Sequence, residues 1–496
     1  MDTTIRPAIA RRSTAWTHGR MNTAAVLFVC TALAYAVATN MLTPLLPSLQ
    51  QQYGIGPVAA LWLTLSTLLG GALFVPSMCR LGDLMRWRKQ IIVVALGCLT
   101  VGGALAAVSD SLELLIAARV ITGMGAACTP MMTGIAAECF TETRRKASVA
   151  LISSGVFLGA GFGGTLASLL ITRPDGFRIL FWLTAAIPFV AMIAALLVVP
   201  KDGPPPAEQG EGRRPRALDL PGAIGFIVPV ASLVVAFSFA ARWGWTSLPF
   251  FTLVAGGLAV FVVWTRIERR TRDPLVDIAV FFSRPVLIAN LASVLGGFLI
   301  FASIASTTTI MQLPPLPGVG GLGTSAVEAT LLVLPAELMI VWMAPIVAIL
   351  TRRYGKGIFL TVGPLVQAAG YLLLLVDHSG VGALFLGIVV IGTGTGISCS
   401  AWVLVYVDDI APEHVGRVSA IAPILSQGVG GSISGAIFGA ILTSFAMPKT
   451  GLPSAEAFEV FWWIAVGVGI AGSAVGINYL RSFGRRSTAR PEAVTA

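Results

Sequence analysis

The sequence predicts an all-α polytopic membrane protein: two six-helix bundles plus two extra central helices, fourteen transmembrane helices in all, with both termini cytoplasmic. Three observations predict it. Of 496 residues, 56% are hydrophobic and 11% charged, with mean hydropathy +0.85; ordinary globular chains carry about 25% charged residues. Apolar runs follow one another along the chain, each near the roughly 20 residues that cross a bilayer as a helix. The basic residues fall in alternate loops.

Residues 1–22 form a polar, basic N-terminal tail (Arg6, Arg11, Arg12, Arg20). The first apolar run, 23–49, contains Ala34-Tyr35-Ala36, which resembles a signal-peptide cleavage site. Hydrophobicity continues past that site and further spans follow, so the run is read as span 1. Spans at 58–78, 91–108, 112–135, 147–171 and 179–199 complete an N-terminal bundle over 23–200. A stretch rich in Pro, Gly and charge, 200–220, is the clearest linker. Two spans, 222–241 and 248–265, and the charged segment 266–274 make a middle region over 201–284. Six more spans, 286–313, 326–350, 358–376, 381–405, 418–445 and 458–479, form a C-terminal bundle over 285–480. Residues 481–496 are the C-terminal tail.

Charge orients these spans. One set of loops carries Arg80/Arg86/Arg88/Lys89, Arg144/Arg145/Lys146, Lys201/Arg213/Arg214/Arg216, Arg266/Arg269/Arg270/Arg272, Arg352/Arg353/Lys356, Arg417 and Arg481/Arg485/Arg486. The intervening loops hold Arg173, Arg178, Arg242 and Lys449. Lys and Arg accumulate on the cytoplasmic side, so the first set is cytoplasmic and the number of spans even. The net charge of +10 follows from this distribution, not from a nucleic-acid-binding patch. Equivalent basic loops after the second span of each half (CRLGDLMRWRK and ILTRRYGK) point to an internal repeat.

Several chemistries find no residues to carry them. Six cysteines without a CxxC pair read as small apolar fillers, and three dispersed histidines make no metal site. There is no nucleotide-binding loop; Gly392-x-Gly394-x-Gly396 lies inside an apolar span and reads as helix packing. Nothing marks an enzyme.

The polar residues inside the spans are the candidate machinery. Arg119 is the only basic residue deep in a span, where an arginine costs at least ~2.5 kcal/mol unless it faces a polar cavity or partner; the alternative is snorkelling to the interface. Gly123 and Gly125 follow on the same helix, where small residues allow close approach. Glu337 is the most deeply placed acid. Glu328 is near the outer mouth of the same span and lies on another helix face, so the two do not act as a pair. Glu113 and Glu138 read as interfacial. Asn40, Gln312 and Gln427 are cavity-lining candidates, with hydrogen bonds to neighbouring helices as the alternative.

Leu81-Gly82-Asp83 with Arg88-Lys89, then Arg119-Val120-x-x-Gly123-x-Gly125, then Gly155-x-x-x-Gly159-x-Gly161-x-Gly163-Gly164, recur in an order and spacing that resemble the major facilitator superfamily. Asp219-Leu220-Pro221-Gly222-Ala223, Trp243-Gly244-Trp245, Glu268-Arg269-Arg270, Asp273-Pro274-Leu275-Val276-Asp277, the segment from Gly323-Thr324-Ser325-Ala326 to Leu334-Pro335, and Ser426-Gln427-Gly428-x-Gly430-Gly431 resemble its fourteen-span drug:proton antiporter branch. The chain departs from the family pattern at Ala38, where an aspartate is usual, at Ala160 after Gly159, at Cys79, and at Arg86-Trp87 in place of Gly-Arg.

The resemblance implies the major facilitator fold in the cell membrane and alternating access. It implies a secondary active exporter of amphipathic small molecules, as in multidrug efflux, coupled to proton influx, with no cofactor beyond the proton gradient. Glu337 is then the expected titrating acid, and Arg119 either sets the state of a carboxylate or contacts an anionic substrate. Asp83, Arg88 and Lys89 become a cytoplasmic gate, and Gly123, Gly125, Gly155, Gly159 and Gly163 conformational glycines. The expected partners are a lipophilic small molecule and the lipid bilayer, with no nucleic acid; the oligomeric state is open, a monomer being favoured. With Ala38 unable to couple protons, the alternatives are a lipid or lipid-like exporter or an uncoupled facilitator. A non-transporting scaffold or sensor is a third reading.

Overall fold

A computed structural model of the protein describes residues 18–42, 45, 49–50, 53–54, 57–140, 142–170, 173, 175–200, 220–271, 277–410, 422–448 and 450–483. They are helical throughout, joined by turns, with one isolated bridge, Ala446 to Pro453. A bilayer offers the backbone no hydrogen bonds, so spanning segments must satisfy their own amides and carbonyls, as helices do. Among the described residues twelve helices are long and apolar enough to cross a membrane, against the fourteen spans expected. Two more long helices, Glu142–Leu170 and Leu220–Trp243, carry shorter apolar stretches, Leu158–Leu170 and Ile224–Ala240.

The chain divides into two compact units. The first contains α1 (His18–Asn40), α2 (Pro57–Leu84), α3 (Arg88–Ala107), α4 (Leu112–Met124), α5 (Cys128–Cys139), α6 (Glu142–Leu170) and α7 (Gly176–Val198). Two boundaries differ from the sequence reading. α1 begins inside the expected tail, at His18, and stops at Asn40, well short of residue 49. Pro44 supplies no amide to the carbonyl of Asn40, and the residue before a proline avoids helical geometry. The fourth span is not one α-helix: it tightens into a 3₁₀ turn at Gly125–Ala127 between α4 and α5.

Within this unit α6 packs on α1, α4 on α2 and α7 on α3. Small residues make these contacts possible. A Cβ on Gly159 would lie 2.4 Å from the Leu33 carbonyl oxygen, and one on Gly123 would lie 2.7 Å from the Gly71 nitrogen. Met41, Leu42, Leu115, Leu180 and Phe181 are among the buried side chains that fill the spaces between helices.

α2 ends in a left-handed turn. The Trp87 amide donates to the Gly82 carbonyl (2.9 Å), the Met85 amide to Leu81 (3.0 Å), and Arg86 between them has φ +53°. This is the six-to-one bond of a Schellman ending, where glycine is usual because a side chain in that region costs ~1–2 kcal/mol. Arg86→Gly is therefore expected to raise the thermal midpoint of the purified protein. Glycine's greater freedom in the unfolded chain offsets ~0.5–1 kcal/mol of the gain. A midpoint that falls would contradict the reading.

The second unit contains α10 (Arg284–Gln312), α11 (Ala326–Tyr354), α12 (Lys356–Val376), α13 (Val381–Asp408), a π-helical segment Ile424–Gly430 leading into α14 (Gly431–Ser444), and α15 (Ala455–Phe483). Its pairings repeat those of the first: fifth on first (α14 and its π segment on α10), fourth on second (α13 on α11), sixth on third (α15 on α12). Phe458, Phe461, Trp462 and Tyr371 fill its core. The polar ends of two of these rings are paired: the Trp462 indole donates to Ser306 Oγ (2.9 Å) and the Tyr371 hydroxyl to the Leu299 carbonyl (2.5 Å). Ser325 and Glu328 close a capping box at the start of α11.

The middle pair is α8 (Leu220–Trp243) and α9 (Leu248–Glu268). Trp264 donates its indole N–H to the Gly222 carbonyl (2.9 Å) and its ring lies 5.5 Å from that of Phe226. Those residues belong to the first unit, whereas Val228–Val262, with the Phe237–Trp245–Phe250 ring cluster, belongs to the second.

Candidate functional site

Arg119 is carried on α4 and is 1% exposed, so it does not snorkel. Its Nη1 donates to the Ala38 carbonyl oxygen (2.9 Å) and its Nη2 to that of Thr39 (3.3 Å). Both acceptors lie in the last turn of α1, where carbonyls lack intrahelical donors and carry the negative end of the helix dipole. Nε is buried with no hydrogen-bond partner. No carboxylate meets the guanidinium among the described residues. Where the sequence has Ala38 in place of an acid, the arginine holds the backbone of that residue instead.

Glu337 is 7% exposed on α11. No hydrogen bond or ion pair reaches its carboxyl among the described residues. Its electrostatic neighbour is the buried Cys399 thiol of α13. The two helices touch through glycine beside it: a Cβ on Gly392 would lie 2.5 Å from the Ala336 carbonyl oxygen, and one on Gly396 would lie 2.8 Å from the Ile340 Cα. Gly394 of the same run faces α12 at Gln367, so the run is helix packing, as expected. Gln367 is itself buried, donating to Thr395 Oγ1 (2.8 Å) and accepting from Ser398 (3.3 Å).

The amides expected to line a cavity divide. Asn40 donates to the Ala36 carbonyl (2.9 Å) and the Thr39 hydroxyl (3.0 Å). Gln312 donates to Thr308 (3.2 Å) at an exposed helix end. Gln427 is half-buried in the π segment with no hydrogen-bond partner among the described residues.

Of the expected cytoplasmic gate, Asp83 lies in α2 with its side chain outside the described residues. Arg88 is buried at the start of α3. Lys89 donates to the Leu196 carbonyl (2.6 Å) in the last turn of α7, a favourable place for a cation. The second unit has a charged cluster at the matching place, which the sequence reading missed. Lys356 at the start of α12 bonds Asp409 (2.5 Å) and lies 3.8 Å from Asp408, while the Tyr479 hydroxyl of α15 donates to Asp409 (2.5 Å).

The expected conformational glycines make close contacts inside the first unit. Gly155, Gly159 and Gly163 form a stripe on α6 facing Val29, Leu33 and Val37 of α1. Gly123 meets Thr67 and Gly71 of α2, and Gly125, opening the 3₁₀ turn, meets Leu99 and Ala95 of α3. Burial of charge is not confined to Arg119: Arg80, Arg88 and Glu268 are buried too, each with partners.

Comparison with known proteins adds four findings. The family model described as Major Facilitator Superfamily matches residues 27–435. The chain is 26% identical over 408 residues to the multidrug resistance protein Stp of Mycobacterium tuberculosis, covering 81% of this chain and 72% of Stp. It is 25% identical over 401 residues to the tetracenomycin C resistance and export protein of Streptomyces glaucescens, covering 80% and 71%. In fold it resembles the proton:xylose symporter XylE, with TM-score 0.61 at 13% identity over 94% of this chain and 96% of the other.

Proposed function

The chain belongs to the major facilitator superfamily, and from that premise we propose that it is a secondary active transporter exporting amphipathic small molecules by alternating access, coupled to proton influx through Glu337. Its relatives carry the first half of the reading, since they are named for multidrug resistance, multidrug efflux, or export of tetracenomycin C and cephamycin. One observation carries the second: Glu337 is a buried carboxyl with neither hydrogen bond nor ion pair among the described residues. An ion-paired carboxyl is held ionised by its partner. Glu337 has no such hold, so its proton can follow the opening and closing of its surroundings. Arg119 anchors the end of α1, and Asp83, Arg88 and Lys89 form the cytoplasmic gate.

The test is reconstitution in proteoliposomes under an inside-acid gradient, following an amphipathic dye and internal pH together. Dye movement that carries protons in fixed proportion is the expected result. A second reading, an uncoupled facilitator for drug-like or lipid-like molecules, rests on Ala38, which leaves span 1 without a carboxyl beside Arg119. Flux indifferent to the gradient would establish it.

A further inference from the structure

Arg119 is a full positive charge sealed among helices, and folded proteins pair such charges with anions. Here the partners are two neutral carbonyl oxygens, one on each terminal nitrogen. That is the arrangement in which the two oxygens of a carboxylate meet a guanidinium fork. The fit is loose: the bond to Thr39 is 3.3 Å, whereas charge-assisted bonds of this kind run at about 2.7–2.9 Å. The Nε–H remains unused. Tyr35 lies one turn before Ala38 and Thr39 on α1, the stretch that the Arg119 guanidinium holds. The residue is half-buried, and its hydroxyl makes no hydrogen bond among the described residues. Three features therefore stand at this helix end among the described residues: a buried cation with no anion against it, a guanidinium N–H without an acceptor, and a tyrosine hydroxyl without a hydrogen bond.

We propose that Arg119 is the recognition site for the carboxylate of an anionic amphipathic substrate, which displaces the Ala38 and Thr39 carbonyl oxygens from the guanidinium fork and takes a further hydrogen bond from Tyr35. The proposal rests on the reading of the chain as an exporter and narrows its cargo. Exchange of ligands on Arg119 also frees the last turn of α1, so binding and the ordering of that helix end oppose each other. Neutral carbonyls hold the fork when no cargo is present; a true anion replaces them because its bonds to the guanidinium are charge-assisted.

The test uses one aromatic body with three head groups: 1-pyrenebutyrate, its neutral amide and its trimethylammonium analogue. Equilibrium binding to the purified full-length protein is measured first, and flux in proteoliposomes second. The carboxylate is expected to bind at least about tenfold more tightly than the amide, as hydrogen bonds to a charged group imply, and the ammonium compound more weakly than either. Arg119→Gln should erase the preference. Ala38→Asp is the second variant, needed in case the first fails to fold: it supplies the anion from within the chain and should likewise abolish selection for the carboxylate.

Equal binding of carboxylate and amide, a preference for the ammonium compound, no binding of the carboxylate, or a preference that survives in Ala38→Asp would each overturn the proposal. Binding preference without flux of any probe would sink the exporter reading and leave the anion site standing. Flux of the ammonium compound without carboxylate preference would do the reverse.

Discussion

Gly159→Ala is expected to destabilise the first unit by ~1–3 kcal/mol, the usual result of overpacking, and Gly159→Leu to prevent its assembly. The added Cβ would lie 2.4 Å from the Leu33 carbonyl oxygen and 2.7 Å from the Ala36 Cβ. Neither is the end of a flexible side chain, so α1 and α6 must move apart. The neighbouring glycines give a graded series: at Gly155 and Gly163 the nearest atoms would be 2.9 and 3.0 Å away, so alanine there should cost less. Gly435 on α14 is the control, because nothing lies within 4 Å of its Cβ position; alanine there should be neutral or slightly stabilising, as expected for a helix. Thermal unfolding and monodispersity of the purified variants report the order. If Gly159→Ala melts with Gly435→Ala, close packing is not what holds α6 to α1.

Glu337→Gln is expected to leave the protein folded while abolishing substrate-driven proton movement. Glutamine matches the shape but has no proton to exchange. No described partner is lost by the change, because none bonds the carboxyl, and removing an unpaired ionisable group from a buried site does not cost stability. Glu337→Asp keeps the carboxyl, withdraws it by one methylene, and should retain part of the coupling. The readout is the ratio of protons to substrate moved in proteoliposomes. An undiminished ratio in Glu337→Gln would place the coupling elsewhere, and downhill substrate flux should persist in the variant.

The helices and their order were legible because most are apolar for the roughly 20 residues that cross a bilayer; twelve of the fourteen expected spans reach that length among the described residues. Their ends were less so. The apolar run of span 1 continues to Leu49, and only Pro44 and Pro47 mark where α1 can no longer run. Arg119 was legible as a buried cation, because a charge inside an apolar run always has a reason. Its partners were not: backbone carbonyls have no signature in a sequence. The Asp409 cluster draws on the ends of three helices, and only the assembled unit brings Lys356 and Tyr479 to the same carboxylate. Glu328 shows the opposite case, since Ser325-Ala326-Val327-Glu328 carries the capping-box spacing openly and was read only as a mouth residue. Arg86 lies between: its departure from the family pattern was visible, its left-handed backbone was not.

The pairing rule shared by the two units has a consequence for how such a chain can be built. Fifth on first, fourth on second and sixth on third use every helix of both bundles and neither α8 nor α9. Among the described residues, then, the three pairings of each half are complete without the middle pair. The pair has anchors of its own all the same: Trp264 clasps Gly222 within the first unit, and within the second the Phe237–Trp245–Phe250 rings share a buried cluster with Ala436 of α14.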